Sequence, residues 1–249
     1  MFKYRNRHST PSRGPQGRGP YQPYIRPRGG QRRISKLEGR DPSMFVRTAS
    51  LNTPEQEIYT PTHTFDTFDI SPELKATIKT RNYAELTPIQ DQAIQPILDG
   101  RDVIGLANTG TGKTAAFLIP ILDKILKDRK QKAIILAPTR ELALQIDDEF
   151  RKFAFGLKVF STVAIGGAPI QNQIYNLRRN PNVVIGTPGR IKDLIQQNIL
   201  GLGQFSTFVL DEVDLMVDIG FINDVEYFVS LLPHQRQSLF FSATMSPKV

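Results

Sequence analysis

A lysine and a hydroxyl close a glycine-rich stretch at residues 107–114, Ala-Asn-Thr-Gly-Thr-Gly-Lys-Thr. Gly110 and Gly112 allow a tight turn whose N–H groups point inward, and the helix predicted next adds its positive N-terminal end, so the stretch indicates a phosphate cradle. Lys113 would reach the β- and γ-phosphates of a nucleotide, and the Thr114 hydroxyl would ligate Mg²⁺. A plain glycine turn that caps a helix is the alternative.

An acidic cluster follows a second apolar run. Thr207–Leu210 leads into Asp211, Glu212 and, two residues later, Asp214. One carboxylate at such a place would hold Mg²⁺, and a neighbouring one would polarise an attacking water. An acidic cluster after a strand is by itself more often a solvated turn. Its pairing with the glycine-rich stretch favours a catalytic nucleotide site.

Apolar runs and amphipathic stretches alternate along the chain around these residues. The pattern predicts an α/β fold, in which a parallel sheet is covered by helices on both faces. Ligands of such sheets bind beyond the carboxyl ends of the strands, where both clusters fall. The predicted strands are 103–107, 133–137, 159–165, 183–185, 207–210 and 239–241, and the predicted helices include 113–126, 139–153 and 191–199.

The positive charge of the chain is concentrated at its start. The first fifty residues hold twelve Lys and Arg against two acidic residues, together with six Gly and six Pro. This composition predicts a disordered basic tail over residues 1–61, followed by one globular domain over 62–249. The tail either binds RNA phosphates and bases or only aids solubility. Met44-Phe45-Val46 is a local apolar exception with no docking site identifiable from sequence.

Two absences narrow the class of protein. The chain has no cysteine, which excludes disulfides and cysteine-ligated zinc or iron–sulfur sites. It also has no apolar run near the length of a membrane span and no secretory leader. We therefore expect a cytoplasmic protein without a membrane partner.

An ordered set of stretches from about residue 65 to 249 resembles the DEAD-box family of ATP-dependent RNA helicases. Alanine in the first position of the glycine-rich stretch is normal in that family. Asn82, Leu86 and Val213 replace its usual glycine, proline and alanine. The matching stretches are Phe65 with Tyr83 and 87–90 (the Q motif), 107–114 (motif I), 138–142 (motif Ia), Gly166-Gly167, 187–190 (motif Ib), 211–214 (the DEAD motif) and 242–244 (motif III).

The resemblance implies a RecA-like P-loop NTPase domain that binds ATP and Mg²⁺. Gln90 would read the adenine edge, and Tyr83 would offer the purine an aromatic face. Lys113, Asp211 and Glu212 would be catalytic, with Thr114 and Asp211 on the metal. The implied nucleotide contacts are Phe65, Tyr83, Thr87, Gln90, Ala107, Asn108, Thr109, Gly110, Thr111, Gly112, Lys113 and Thr114.

The resemblance also implies contacts to the sugar–phosphate backbone of RNA. Asp214 would bond Ser242 and Thr244 and so couple the nucleotide site to strand opening. Without the resemblance, Arg140 suggests a surface ion pair, the glycine pair a plain turn, and 242–244 a helix N-cap. The implied RNA contacts are Pro138, Thr139, Arg140, Gly166, Gly167, Thr187, Pro188, Gly189 and Arg190.

DEAD-box enzymes have a second RecA-like domain that supplies arginines to the transferring phosphate. The sequence stops at Val249, shortly after motif III. We therefore expect the ATP- and RNA-binding N-terminal half of a helicase that remodels short RNA duplexes, nearly inactive by itself. The alternatives are a non-catalytic RNA-binding module or a competitor of the full-length enzyme.

Overall fold

The structure is a computed structural model that describes residues 59–81, 83 and 85–245. Met44-Phe45-Val46, Asn82 and nearly all of the predicted tail lie outside the described residues. The chain divides after Gln56, and the described residues belong to the unit Glu57–Val249. The predicted boundary between residues 61 and 62 stays a prediction.

Six parallel strands form one sheet in the order β1-β6-β5-β2-β4-β3. The predicted parallel sheet is thereby confirmed. The sixth strand begins two residues before its apolar run, because Gln237 and Ser238 pair with Thr207 and Phe208 of the fifth. The strands are β1 Val103–Leu106, β2 Ala133–Leu136, β3 Ser161–Ala164, β4 Val183–Gly186, β5 Thr207–Leu210 and β6 Gln237–Ser242.

Helices connect the strands and cover both faces of the sheet. Proline stands in the first turn of α1, α2 and α6, where its missing N–H costs no hydrogen bond. Thr139 caps α4 by accepting a hydrogen bond from the Leu142 amide at 3.2 Å. The helices are α1 Pro72–Thr80, α2 Pro88–Leu98, α3 Lys113–Lys127, α4 Arg140–Phe153, α5 Ile170–Arg178, α6 Pro188–Gln196, α7 Val213–Ile219 and α8 Ile222–Leu231.

Two apolar cores hold the layers together, one on each face. Ile135 and Val209 point into the core built with α1 to α4. Their neighbours Ile134 and Phe208 point into the core built with α6 to α8. Burial of both faces explains why the central strands are uninterrupted apolar runs. Among the described residues, no helix is both long enough and apolar enough to cross a membrane.

All six strands run the same way, so their carboxyl ends meet at one edge of the sheet. The glycine-rich stretch follows β1, the acidic cluster follows β5, and Thr244 follows β6. We call these three neighbouring ends the glycine-loop side. The predicted RNA contacts follow β2, β4 and β3, which we call the arginine side. The predicted site residues that follow strands thus divide into two adjacent groups, while the predicted nucleotide contacts between residues 65 and 90 precede β1.

Candidate nucleotide and nucleic-acid site

The glycine-rich loop between β1 and α3 is tied to the sheet at both ends. The Ala107 amide donates to the carbonyl of Ser242 at 3.0 Å, which joins the loop to β6. Lys113 is buried, and its Nζ donates to the Ala107 carbonyl at 2.8 Å, across the loop. Gly112 has a left-handed φ of 91°, and a Cβ atom there would collide with the amide of Gln90. Only glycine satisfies both conditions at that position.

The Gln90 amide joins α2 to this loop. Its Oε1 accepts from the Thr87 amide at 3.1 Å, and its Nε2 donates to the Gly112 carbonyl at 3.2 Å. The Thr87 hydroxyl is buried and has no hydrogen-bond partner among the described residues. A buried hydroxyl without a partner carries a free-energy cost that a bound ligand can remove. Neither Gln90 nor Thr87 lines the cavity beside the loop, and their contact with a nucleotide stays a prediction.

Asp91, the next residue of α2, anchors the segment that leads into the domain. Its carboxylate accepts hydrogen bonds from the Tyr59 hydroxyl at 2.6 Å, the Thr62 amide and hydroxyl at 2.8 and 2.9 Å, and the His63 amide at 3.0 Å. Nδ1 of His63 lies 2.7 Å away. Burial raises the pKa of Asp91, but these hydrogen bonds outweigh it and hold the pKa well below its ordinary value.

The acidic cluster is buried beside Lys113. Asp211 is 2% exposed, and burial raises its pKa to about 6. The positive charge of Lys113 lowers this pKa, whereas the negative charge of Glu212 raises it further. Glu212 has a left-handed φ of 52°, an uncommon and strained conformation for a residue with a side chain. Its amide donates to Asp211 Oδ1 at 3.0 Å, and its Oε1 lies 3.4 Å from the Thr109 hydroxyl.

A cavity of about 370 Å³ opens between the glycine loop, the acidic cluster and α4. Phe65 does not line it; that ring is buried and packs edge-to-face on Tyr83, 5.9 Å between centroids. The Tyr83 hydroxyl donates to Glu149 Oε1 at 2.7 Å, and burial together with this carboxylate raises the pKa of Tyr83. The lining residues are Tyr83, Thr109, Gly110, Gly112, Lys113, Thr114, Ala115, Leu142, Gln145, Glu149, Asp211 and Glu212.

Four of these lining residues were missed by sequence reasoning: Ala115, next to the predicted Thr114, and three residues of α4. Leu142, Gln145 and Glu149 follow one another at helical spacing along α4 and therefore share one face of it. The amphipathic pattern of α4 predicted its apolar face, but not that polar members of the helix would reach a ligand cavity. The helical spacing of Gln145 and Glu149 from Leu142 was the sequence signal that could have placed them on the same face.

The residues predicted for Mg²⁺ fit that ion. Thr114 and Asp211 both line the cavity. Over the described residues, no three His, Cys, Asp or Glu side chains converge in an arrangement that holds a metal alone. Mg²⁺ is ordinarily held by one or two protein oxygens together with phosphate oxygens and water, so this sparse set suits it better than a self-sufficient metal centre would.

Asp214 connects the acidic cluster to the end of β6. Its Oδ2 accepts from the amide and the hydroxyl of Thr244, both at 3.0 Å, and its own amide donates to the Ser242 hydroxyl at 3.3 Å. Burial raises the pKa of Asp214, but these hydrogen bonds outweigh it and lower the pKa. The contacts expected between the two motifs are present, and their coupling function stays a prediction.

Arg140 dominates the arginine side. Its guanidinium lies flat against Gly166 and Gly167, so that a Cβ atom on Gly167 would collide with it. Gly167 also has a left-handed φ of 74°. The glycine pair is therefore more than a plain turn, because its two residues form the surface on which the guanidinium of Arg140 packs.

A second cavity, of about 560 Å³, opens in front of Arg140. Seven predicted residues line it, whereas Gly167 and Pro188 do not. Glu141 and Phe221 line it without having been predicted. The lining residues are Pro138, Thr139, Arg140, Glu141, Gly166, Thr187, Gly189, Arg190 and Phe221.

Arg190 is more enclosed than a phosphate ligand on an open surface would be. Its side chain is 13% exposed, and Nε lies 3.5 Å from Asp193 Oδ2. Nη1 donates to Gln173 Oε1 at 2.9 Å and lies 3.4 Å from the Ala168 carbonyl. Gln173 was not singled out from the sequence, because a lone glutamine in a polar stretch carries no periodic or motif signal.

Sequence comparison finds relatives that match more than two thirds of the chain. The chain is 44% identical over 186 residues to ATP-dependent RNA helicase CshA of Limosilactobacillus reuteri, covering 74% of this chain and 37% of that protein. It is 46% identical over 184 residues to DEAD-box ATP-dependent RNA helicase 9, mitochondrial, of Arabidopsis thaliana, covering 71% and 30%. The chain thus spans roughly a third of the length of these curated relatives.

Solved structures share the fold. A DEAD box protein from the hyperthermophile Methanococcus jannaschii superposes with a TM-score of 0.70 at 37% identity, over 73% of this chain and 50% of that one. A hypothetical ATP-dependent RNA helicase from Sulfolobus tokodaii gives 0.66 at 32% identity, over 71% and 51%. The model of the DEAD/DEAH box helicase family matches residues 87–249. With well over half of its length in that match, the chain belongs to the DEAD/DEAH box helicase family.

Proposed function

We propose that the chain binds ATP with Mg²⁺ on the glycine-loop side and single-stranded RNA on the arginine side. It would do so as the N-terminal half of an ATP-dependent RNA helicase. The observation that carries the proposal is the pair of adjacent cavities at one edge of the sheet, one around Lys113 and Asp211, the other around Arg140. The names of the relatives, which are ATP-dependent RNA helicases, support it.

On the glycine-loop side, Lys113 would hold the β- and γ-phosphates beside the backbone amides of the loop. Thr114 and Asp211 would hold Mg²⁺, which neutralises charge on the phosphate oxygens when bound. Glu212, held in its strained conformation at the cavity wall, would orient the attacking water. Gln90 and Tyr83 would define the adenine pocket.

On the arginine side, binding would be independent of base sequence. Residues in the first turns of α4 and α6 line the cavity, and Arg140 adds a positive charge. Such groups recognise phosphate and sugar, which positions a strand without reading it. Asp214, through Thr244, would transmit the state of the nucleotide site to the opening of the strand.

Turnover by this chain alone is expected to be slow. Among the described residues that line the nucleotide cavity, Lys113 is the single cation. Arginines that stabilise a transferring phosphate typically contribute 10³- to 10⁵-fold in rate. We propose that a second RecA-like domain supplies them in the complete enzyme, which would remodel short duplexes by RNA-stimulated hydrolysis.

The test measures binding and turnover on the same samples. We expect the chain to bind an ATP analogue and single-stranded RNA, with little hydrolysis. Lys113→Ala should weaken nucleotide affinity by about a hundredfold, since it removes a charge-assisted contact to two phosphates. Lys130→Ala, an exposed lysine before β2, is the matched control and should change nothing. Equal nucleotide affinity of the two variants would exclude the proposed site.

A second experiment separates the cavity from the basic tail. Deleting residues 1–50 should leave a salt-dependent RNA affinity that Arg140→Ala then reduces further. If all RNA affinity is lost with the tail, the alternative of a non-catalytic module that binds through its tail is favoured instead.

A further inference from the structure

A buried glutamine behind the arginine-side cavity joins two of the segments that form it. Gln173 lies on α5, is 6% exposed and does not line the cavity itself. Its Nε2 donates to the carbonyl of Ile165 at 2.9 Å, at the end of β3. Its Oε1 accepts from Nη1 of Arg190 at 2.9 Å, on α6. One side chain thus bridges the strand end that leads into the glycine pair and an arginine of the opposite wall.

The chemistry of the two partners restricts what can stand between them. A guanidinium only donates hydrogen bonds, and a backbone carbonyl only accepts them. A bridging side chain must therefore present one acceptor and one donor, which an amide does and neither a carboxylate nor an apolar chain does. Both partners are buried or nearly so, so a failed bridge leaves a polar group without a partner in a place that water reaches poorly.

The same bridge also affects the glycine pair on which Arg140 packs. The glycine pair begins directly after Ile165. The residue that follows the pair is Ala168, whose carbonyl oxygen lies 3.4 Å from Nη1 of Arg190. The loop is therefore held at its start by Gln173 and at its end by Arg190. Arg140 packs on the two glycines between these points.

We propose that Gln173 is a positioning residue for the arginine-side cavity. It fixes the guanidinium of Arg190 and the loop 166–168 relative to each other, so that Arg140 and the loop amides face a nucleic-acid backbone in one arrangement. In this arrangement Arg190 braces the wall of the cavity. The inference rests on the proposed RNA binding.

The first measurement does not involve RNA. Gln173→Met keeps the length of the side chain and removes both hydrogen bonds. Amide hydrogen exchange at residues 166–168 should become at least about tenfold faster in this variant, while exchange in the glycine loop 110–112 stays unchanged. Unchanged exchange at 166–168 would overturn the proposal, whatever the RNA affinity.

The second measurement is RNA affinity of the full chain, at a temperature where every variant is folded. Gln173→Met should weaken binding of single-stranded RNA by about tenfold without changing affinity for an ATP analogue. Gln173→Glu, which keeps the acceptor for Arg190, should lose less. In an Arg190→Met background, Gln173→Met should cost little more, because the two act through one contact.

Gln237→Met is the matched control. Gln237 is also buried, at 5% exposed, and its amide donates to the carbonyls of Ile97 and Arg101, at the opposite end of the sheet. Its loss should reduce stability but leave RNA affinity within about twofold. Equal RNA losses in the two glutamine variants would reduce Gln173 to a general stability effect and overturn the proposal. If Arg140→Ala weakens RNA binding and Gln173→Met does not, the inference fails and the proposed function stands.

Discussion

Two aspartates with nearly equal solvent exposure have opposite electrostatic environments. Asp91 is 3% exposed and Asp211 is 2% exposed. The carboxylate of Asp91 accepts hydrogen bonds from Tyr59 and Thr62 and contacts His63, and its pKa is lowered. Asp211 accepts one hydrogen bond, from the amide of Glu212, and its pKa is raised to about 6. Burial alone therefore does not distinguish a structural carboxylate from one suited to a ligand; the supply of donors does.

The first test of this comparison removes Asp91, whose carboxylate accepts several hydrogen bonds. Asp91→Ala should lower the free energy of unfolding by about 3 to 4 kcal/mol, because several donors lose a buried charged acceptor. Asp99→Ala, at the exposed end of the same helix, is the control and should change stability far less, because water solvates its carboxylate. Urea unfolding of both variants at pH 7 measures the difference.

The pH dependence of this loss has a defined sign. The pKa of Asp91 is lowered by folding, so its stabilisation is present above the pKa of the unfolded chain and is lost as the pH falls through the lower folded pKa. The advantage of the wild type over Asp91→Ala should therefore shrink below about pH 4. An advantage that grew on acidification would contradict this account.

The second test removes Asp211, whose carboxylate accepts a single hydrogen bond from the described residues. The pKa of Asp211 is raised by folding to about 6, so its ionised form destabilises the folded state fully above that pH. Asp211→Asn should therefore raise the free energy of unfolding by about 2 to 3 kcal/mol at pH 8, with the gain vanishing below about pH 4. Thermal or urea unfolding without nucleotide and Mg²⁺ measures it.

The same variant should lose Mg²⁺-dependent nucleotide affinity. Greater stability with weaker binding is the expected trade between a relaxed site and a functional one. An Asp211→Asn variant that is less stable than the wild type at pH 8 would show that the carboxylate is structural after all.

The smallest effect comes from one donor to the carboxylate of Asp91. Tyr59→Phe removes the 2.6 Å hydrogen bond to Asp91 and should lower the free energy of unfolding by about 1 kcal/mol. Because a donor is lost, the pKa of Asp91 should rise, which NMR titration of the carboxyl carbon would detect. An unchanged pKa would mean that Thr62 and His63 satisfy the carboxylate without Tyr59.

Much of the fold could be predicted from local pattern. The six runs predicted the six strands. The central strands β2 and β4 are buried on both faces, which leaves no polar position to interrupt them. The edge strands differ, since β1 exposes Ile104 and Leu106 and β3 contains two hydroxyl residues. Helices α1, α2, α5, α7 and α8 were not identified. Of these, α2 contains Pro96, and α5 fully buries only Gln173, while its aliphatic residues are only partly buried against the core.

The site was predictable where a ligand dictates residue types, and not where tertiary contacts do. Lys113 and Asp211 could be placed beside one cavity because parallel strands bring their carboxyl ends together. The link from Tyr59 to Asp91, across 32 residues of sequence, could not. Neither could the bridge from Gln173 to Arg190, since a glutamine in a polar stretch looks the same whether it is buried or exposed.

The order of the strands in the sheet differs from their order along the chain, and this difference determines when each strand can pair during synthesis. β1 emerges first, but among the described strands its one neighbour in the sheet is β6, which emerges last. The glycine loop that follows β1 takes its hydrogen bond from Ala107 to Ser242 only then. The arginine side, by contrast, is built from β2, β3 and β4, which follow one another along the chain. On the ribosome β2, β3 and β4 can therefore pair before β6 has been made, whereas the hydrogen bond that joins the glycine loop to the sheet forms only after β6 has emerged.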